Sequence, residues 1–213
     1  MVARTEVVTA IPNSLPSIKA APLLCAGRTT FGALKNSGAK GGDLVAIHGF
    51  GGLGHLALQY AVKLGFRTAV ISRGRDKEEL ARKLGAHIYI DSNASDASKD
   101  LGNLGGAQVI LCTAPDGKTI ASLISGLSRN GQMMIITFVN EPMQISPSLL
   151  MRGGRSVSGW VGGVPEDALR FSELTSVVPM IEEFPLKQAD LAFERMMSAK
   201  VRFRAVLTMG GST

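Results

Sequence analysis

Short apolar runs alternate with helix-spaced stretches along most of the chain. Leu44, Val45, Ala46 and Ile47 make the first run, and the segment 43–49 predicts a strand. Leu53, Leu56, Ala57, Tyr60, Ala61 and Leu64 then recur at helical spacing, with Gly65 as the stop. The segment 67–72 predicts a second strand. Residues 76–85 predict a helix, with acids early, bases late and a glycine at its end. Further strands are expected at 87–91, 107–113, 131–138 and 155–161, with a helix over 117–127 between the fourth and the fifth. Two βαβαβ halves follow, an α/β chain with a doubly wound six-stranded parallel sheet, the Rossmann arrangement. The flanks do not belong to it. Residues 1–42 combine prolines with a helical pattern. Residues 186–200 predict a helix, and 203–209 an isolated strand without a sheet of its own. The expected division is therefore 1–38, 39–184 and 185–213.

Composition narrows the function classes. A chain of 213 residues, 45% hydrophobic and 19% charged, is that of an ordinary globular protein with a full core. The net charge of +6 comes from scattered Lys and Arg, and aromatic residues are 5%, so no nucleic-acid partner is expected. No run of about 18 apolar residues predicts a membrane span. The stretch "MVARTEVVTA" lacks the apolar core of a secretory leader. Cys25 and Cys112 cannot frame a small disulfide scaffold and fit a reducing, cytoplasmic setting. Cys112, among Val109, Ile110 and Leu111, reads as core. Met133, Met134, Met196 and Met197 read as packing, and 151–155, "MRGGR", as a solvated turn.

Between the first strand and its helix lies "HGFGGLGH", 48–55. Gly49, Gly51 and Gly54 fit G-x-G-x-x-G in the required strand–turn–helix context. The first glycine permits the turn, the second lets a pyrophosphate approach the backbone, and the third lets helix and strand pack. The helix start then offers free N–H groups to phosphate. The whole loop, with Gly52 and Leu53, is the expected cofactor cradle. An Asp or Glu would be expected at the end of the second strand to hold the ribose of NAD. The chain has Ser72 there, followed by Arg73, Arg75 and Lys77. A hydroxyl and a guanidinium suit a 2′-phosphate, so NADP(H) is expected over NAD(H). The competing reading makes Arg73 and Arg75 a solvated cluster. His55, in the first helical turn, reads as a polar or cofactor-edge residue.

The ordered segments "APLLCAGRTTFGAL", "GGDLVAIHGFGGLGHLALQYAVKLG", "KEELARKLGA" and "KVRFRAVLTM" resemble the zinc-containing alcohol dehydrogenases, medium-chain dehydrogenases. The resemblance runs from about residue 7 to the C-terminus. It implies remnants of a catalytic domain at both ends of the cofactor domain, so that 1–38 is a remnant and lead-in helix and 185–213 a return toward that domain. It places Cys25 at a zinc-ligand position and Thr29 beside the nicotinamide. Cys112, Thr113 and Ala114, with Ile136, Thr137 and Phe138, fall along the cofactor groove, and Arg204 at the pyrophosphate. The sequence departs from the family in having no Gly-His-Glu motif and no four-cysteine lobe. His48, His55 and His87 are its only histidines, and none lies in a ligand segment. A catalytic zinc site needs about three protein ligands, so bound zinc is not expected in this chain alone.

The resemblance implies an oxidoreductase interconverting small alcohols with aldehydes or ketones, here mainly its cofactor-binding part. Two alternatives stand beside it: a non-catalytic NADP(H)-binding module, and a zinc-independent quinone or enone reductase. A homodimer is expected, with 156–163, "SVSGWVGG", as the contact.

Overall fold

The computed structural model describes residues 8–210; the remainder of the N-terminal stretch read above for a leader lies outside the described residues. Six strands, all parallel, form the main sheet: β1 (Leu44–His48), β2 (Arg67–Ser72), β3 (Ile88–Asp91), β4 (Ala107–Cys112), β5 (Leu127–Ile135) and β6 (Ser156–Gly159). Their order is β3-β2-β1-β4-β5-β6. The chain winds outward from β1 to β3 and then, through β4, outward the other way, the doubly wound fold expected from the pattern.

Every residue of β1 is buried, as a central strand covered on both faces requires. Strand alternation divides the core between the faces. Val45, Ile47, Val70, Val109 and Leu111 pack with α2 (Arg28–Lys35), α3 (Gly54–Lys63) and α8 (Pro165–Thr175). Leu44, Ala46, Ala69, Ile71, Ile110 and Cys112 pack with α5 (Ala97–Asn103) and α6 (Gly117–Leu123) on the other. Tyr60 is fully buried in the first layer, its hydroxyl 2.7 Å from Ser172 Oγ. Among the described residues, no helix is long and apolar enough to cross a membrane.

Several expectations are corrected. The terminal strand β8 (Arg204–Thr208) is not isolated. It pairs in parallel with β7 (Ile181–Pro185) in a second sheet, and β7 straddles the boundary expected at 184/185. Strand β5 begins four residues early, across a register irregularity between Ala107 and Val109 of its neighbour. It ends at Ile135, three residues before the expected end. Helices α5 and α8 were not expected, although α8 buries Ala168, Leu169 and Ser172 on its inner face. Met151, Arg152 and Gly153 of the anticipated turn close α7 (Pro147–Gly153), and Gly154 ends it in the left-handed conformation. Met196 and Met197, on α9 (Ala189–Met197), are exposed, not core.

Candidate cofactor site

Strands β1 and β4 are neighbours although distant in sequence, and the sheet's crevice opens at their C-terminal ends. The glycine loop turns there. Gly49 has φ +94°, and a Cβ on it would lie 2.8 Å from both Ala114 Cβ and Thr113 Oγ1. Thr113 fixes the turn from the opposite strand: its Oγ1 donates to the carbonyls of His48 and Gly49, each at 3.0 Å. Gly54 packs so closely that a Cβ would come within 2.0 Å of the Gly49 carbonyl oxygen. Gly51 is different, because nothing lies within 4 Å of where its Cβ would stand. The N–H groups of Gly51, Gly52 and Leu53 donate no backbone hydrogen bond among the described residues. Open space, free donors and the start of α3 together fit a pyrophosphate.

A cleft of about 990 Å³ extends from this loop. Of the residues anticipated from sequence, Gly49, Gly51, Gly52, Leu53, Ser72, Arg73, Lys77, Thr113 and Ala114 line it. Gly54 lies beneath the loop. Arg204 does not line the cleft, but sets Cδ and Nη1 3.0 Å from where a Gly52 Cβ would stand. Cys112 is fully buried in the α5/α6 layer, where burial pushes its thiol up to about 12. Ile136 is buried just beyond β5, and Phe138 is 90% exposed. Thr29, in α2, and Thr137 do not border the cleft.

The β2 end of the cleft carries Arg73 and Lys77. Lys77 Nζ donates to the Phe50 carbonyl at 3.2 Å, and its ammonium is held below its ordinary pKa by burial, then by Arg202 and Arg73, against Asp76. Cations crowded this closely favour an anion among them. Asp91, register partner of Ser72 on β3, is committed elsewhere: Oδ1 accepts from the N–H of Gly74 at 2.8 Å and of Asn93 at 2.9 Å.

The other wall was not anticipated. Ser92, Asn93, Ser95, Asp96 and Ser98 line it, with Asp116 and Thr119 opposite. Asp96 caps α5 by accepting from the N–H of Ser98 and Lys99, and Asp116 caps α6 by accepting from that of Thr119. These cap patterns in "SDASK" and "PDGKT" were the available signal.

His55 is not a cofactor-edge residue. It is fully buried and stacks on Phe203, with centroids 4.9 Å apart. Nδ1 lies 3.0 Å from the Gly51 carbonyl and Nε2 accepts the Met180 N–H at 3.2 Å. The ring is thus a neutral strut between the glycine loop and the chain entering β7. Burial, outweighing the Gly51 hydrogen bond, lowers its pKa to about 4. The unfolded chain therefore takes up this proton between pH 6.5 and 4 while the folded one does not. As pH falls through that window, stability drops by about 3 kcal/mol, and it levels off below. Urea unfolding at pH 7 and pH 4.5 should show a smaller loss for His55→Gln than for the unaltered chain. Equal losses would remove His55 from the account.

Cys25 is exposed in a π-helical turn, Leu23–Gly27. Among the described residues no three His, Cys, Asp or Glu side chains are grouped to hold a metal. One thiol does not meet zinc's ligand requirement.

The zinc-binding dehydrogenase family matches residues 52–182. Alcohol dehydrogenase notN of Aspergillus sp. (strain MF297-2) is 46% identical over 209 residues, 97% of this chain and 61% of that protein. The cinnamyl alcohol dehydrogenase of Sorghum bicolor superposes with a TM-score of 0.86 at 30% identity, covering 98% of this chain and 60% of that one. A CAD from Helicobacter pylori, solved in complex with NADP(H), gives 0.83 at 28% identity, over 96% of this chain and 58% of that one. The chain thus spans about 60% of the length of these relatives.

Proposed function

The chain belongs to the zinc-binding dehydrogenase family, oxidoreductases of the alcohol dehydrogenase type, and on that premise we propose that it binds NADP(H) as the cofactor half of an enzyme interconverting alcohols with aldehydes or ketones. The observation that carries the reading is the pairing of the open, donor-rich Gly51 position with a β2 end that carries Ser72 and Arg73 where NAD-binding would place an acid. The N–H groups of Gly51, Gly52 and Leu53 hold the pyrophosphate, Arg204 reaches it from beside Gly52, and Ser72, Arg73 and Lys77 take the 2′-phosphate. Thr113 and Ala114 border the groove toward the nicotinamide. Thr29, Cys112, Ile136, Thr137 and Phe138 stay in the reading on resemblance alone. The complex of the Helicobacter pylori relative with NADP(H) supports it. The nicotinamide, when bound, carries the hydride. This chain's residues orient the cofactor, and no step is derived through zinc, for which Cys25 alone does not suffice. The two free thiols are in keeping with the cytoplasm. A homodimer joined along the free edge of β6 belongs to the same proposal.

Turnover is read from nicotinamide absorbance with NADP(H) and a panel of primary and secondary alcohols and aldehydes. Binding with little turnover is expected of these residues, because Cys25 alone does not meet the ligand requirement of a catalytic zinc. Turnover comparable to a full-length relative would contradict the assignment to a cofactor half.

A further inference from the structure

Of the three histidines, two direct ring nitrogens to the chain itself. His55 engages both, and His87 Nδ1 accepts the Thr68 N–H at 3.1 Å and lies 2.8 Å from Thr68 Oγ1. His48 differs. The residue is 6% exposed, and its Nδ1 is sealed from solvent without a hydrogen-bond partner. Leaving a buried polar atom unpaired costs about 1–3 kcal/mol, so a ligand that offers the ring a partner would be favoured.

Its position indicates that partner. Strand alternation puts His48 on the face of Leu44 and Ala46, the α5/α6 side, at the last residue of β1. There it borders the cleft with Ser72, Arg73, Asp116 and Thr119, where the cleft runs from the glycine loop toward Ser92 and Ser98. A nucleoside whose 2′-position meets Ser72 and Arg73 covers this floor. We propose that His48 is a cofactor contact whose imidazole hydrogen-bonds the adenosine part of the dinucleotide. The inference rests on the dinucleotide reading above, but not on the preference for NADP(H) over NAD(H).

A half-turn of the ring about Cβ–Cγ exchanges Nδ1 with Cδ2, so a nitrogen can meet the ligand without backbone movement. Burial, opposed by Asp116 and reinforced by Arg73, keeps the imidazole pKa below its ordinary value. Lys77 and Asp96 are the other charged groups lining the cleft. The ring is therefore neutral at pH 7, with one donor and one acceptor, matching a ribose hydroxyl or an adenine ring nitrogen.

The probe is adenosine 5′-monophosphate, which lacks both the 2′-phosphate and the nicotinamide, titrated calorimetrically into the unaltered chain, His48→Phe and His48→Asn. His48→Phe should weaken binding about 5- to 10-fold, the loss of one neutral hydrogen bond. His48→Asn should recover part of it, and affinity for nicotinamide mononucleotide should not change. The thermal midpoint of His48→Phe should stay level or rise, because an unpaired buried nitrogen has been removed. Unchanged nucleotide affinity in His48→Phe would overturn the inference while leaving the dinucleotide reading intact. An unaltered chain that binds neither this nucleotide nor NADPH would overturn both.

Discussion

Replacing Arg73 with aspartate is expected to reverse the cofactor preference. NADPH affinity should fall about 100-fold, while NADH affinity should change by no more than about 3-fold, read by fluorescence titration with each cofactor. Arg73 forms no salt bridge with any carboxylate among the described residues and lines the cleft beside Ser72. Its guanidinium is therefore available to a phosphate, and a hydrogen bond to a charged group contributes about 1.5–3 kcal/mol. Aspartate removes that interaction and adds repulsion toward a 2′-phosphate. The same carboxylate is a suitable acceptor for the 2′-hydroxyl of NADH, so loss and gain fall on different ligands. Equal losses for both cofactors would mean that Arg73 supports the loop and does not read the phosphate. Asp91, the neighbouring carboxylate, engages Oδ1 with the backbone of Gly74 and Asn93.

A pair of alanine substitutions in the glycine loop should separate folding from binding. Gly54→Ala should destabilise the chain by about 3 kcal/mol and abolish dinucleotide binding. In a helix the change from glycine to alanine is ordinarily favourable by about 1 kcal/mol. Here the new methyl would stand 2.0 Å from the Gly49 carbonyl oxygen, a backbone atom fixed by Thr113 and by the strand, and the clash prevails. Gly51→Ala should leave stability within about 0.5 kcal/mol, since its methyl meets nothing. It should nevertheless cost at least about 10-fold in NADPH affinity, because the methyl occupies the space a pyrophosphate needs. Urea denaturation gives the first quantity and cofactor titration the second. Unchanged NADPH binding by Gly51→Ala would move the pyrophosphate elsewhere.

The main sheet was legible because its signal is local and strong: apolar runs such as Leu44–Ile47 bounded by Gly41, Gly42 and Gly49. The glycine loop was legible because its motif sat in its required context. Helix α5 was missed because only Ala97 and Leu101 of its seven residues are buried, too few for a periodicity. The pairing of β8 with β7 was missed because Ile181–Pro185 reads "IEEFP", polar at two of five positions and ending in proline. Partners 23 residues apart in sequence carry no local mark. Met196 and Met197 show the limit of pattern: Leu191, Phe193, Met196 and Met197 of α9 are all exposed, and Ala192 is its buried residue. The place of Ser72 and Arg73 on the cleft could be read because the end of β2 is a local feature. His48 could not, since its isolation depends on what the fold fails to place beside it.

On the reading proposed above, the chain holds a dinucleotide along the glycine loop with a 2′-phosphate at Ser72 and Arg73. Calorimetric titration of the unaltered protein with NADPH and with NADH, in the same buffer and at the same ionic strength, tests it most directly. On that reading both should bind, NADPH at least about 10-fold more tightly, with the advantage shrinking as salt screens the phosphate contacts. NADH binding as tightly as NADPH, or more tightly, would contradict it.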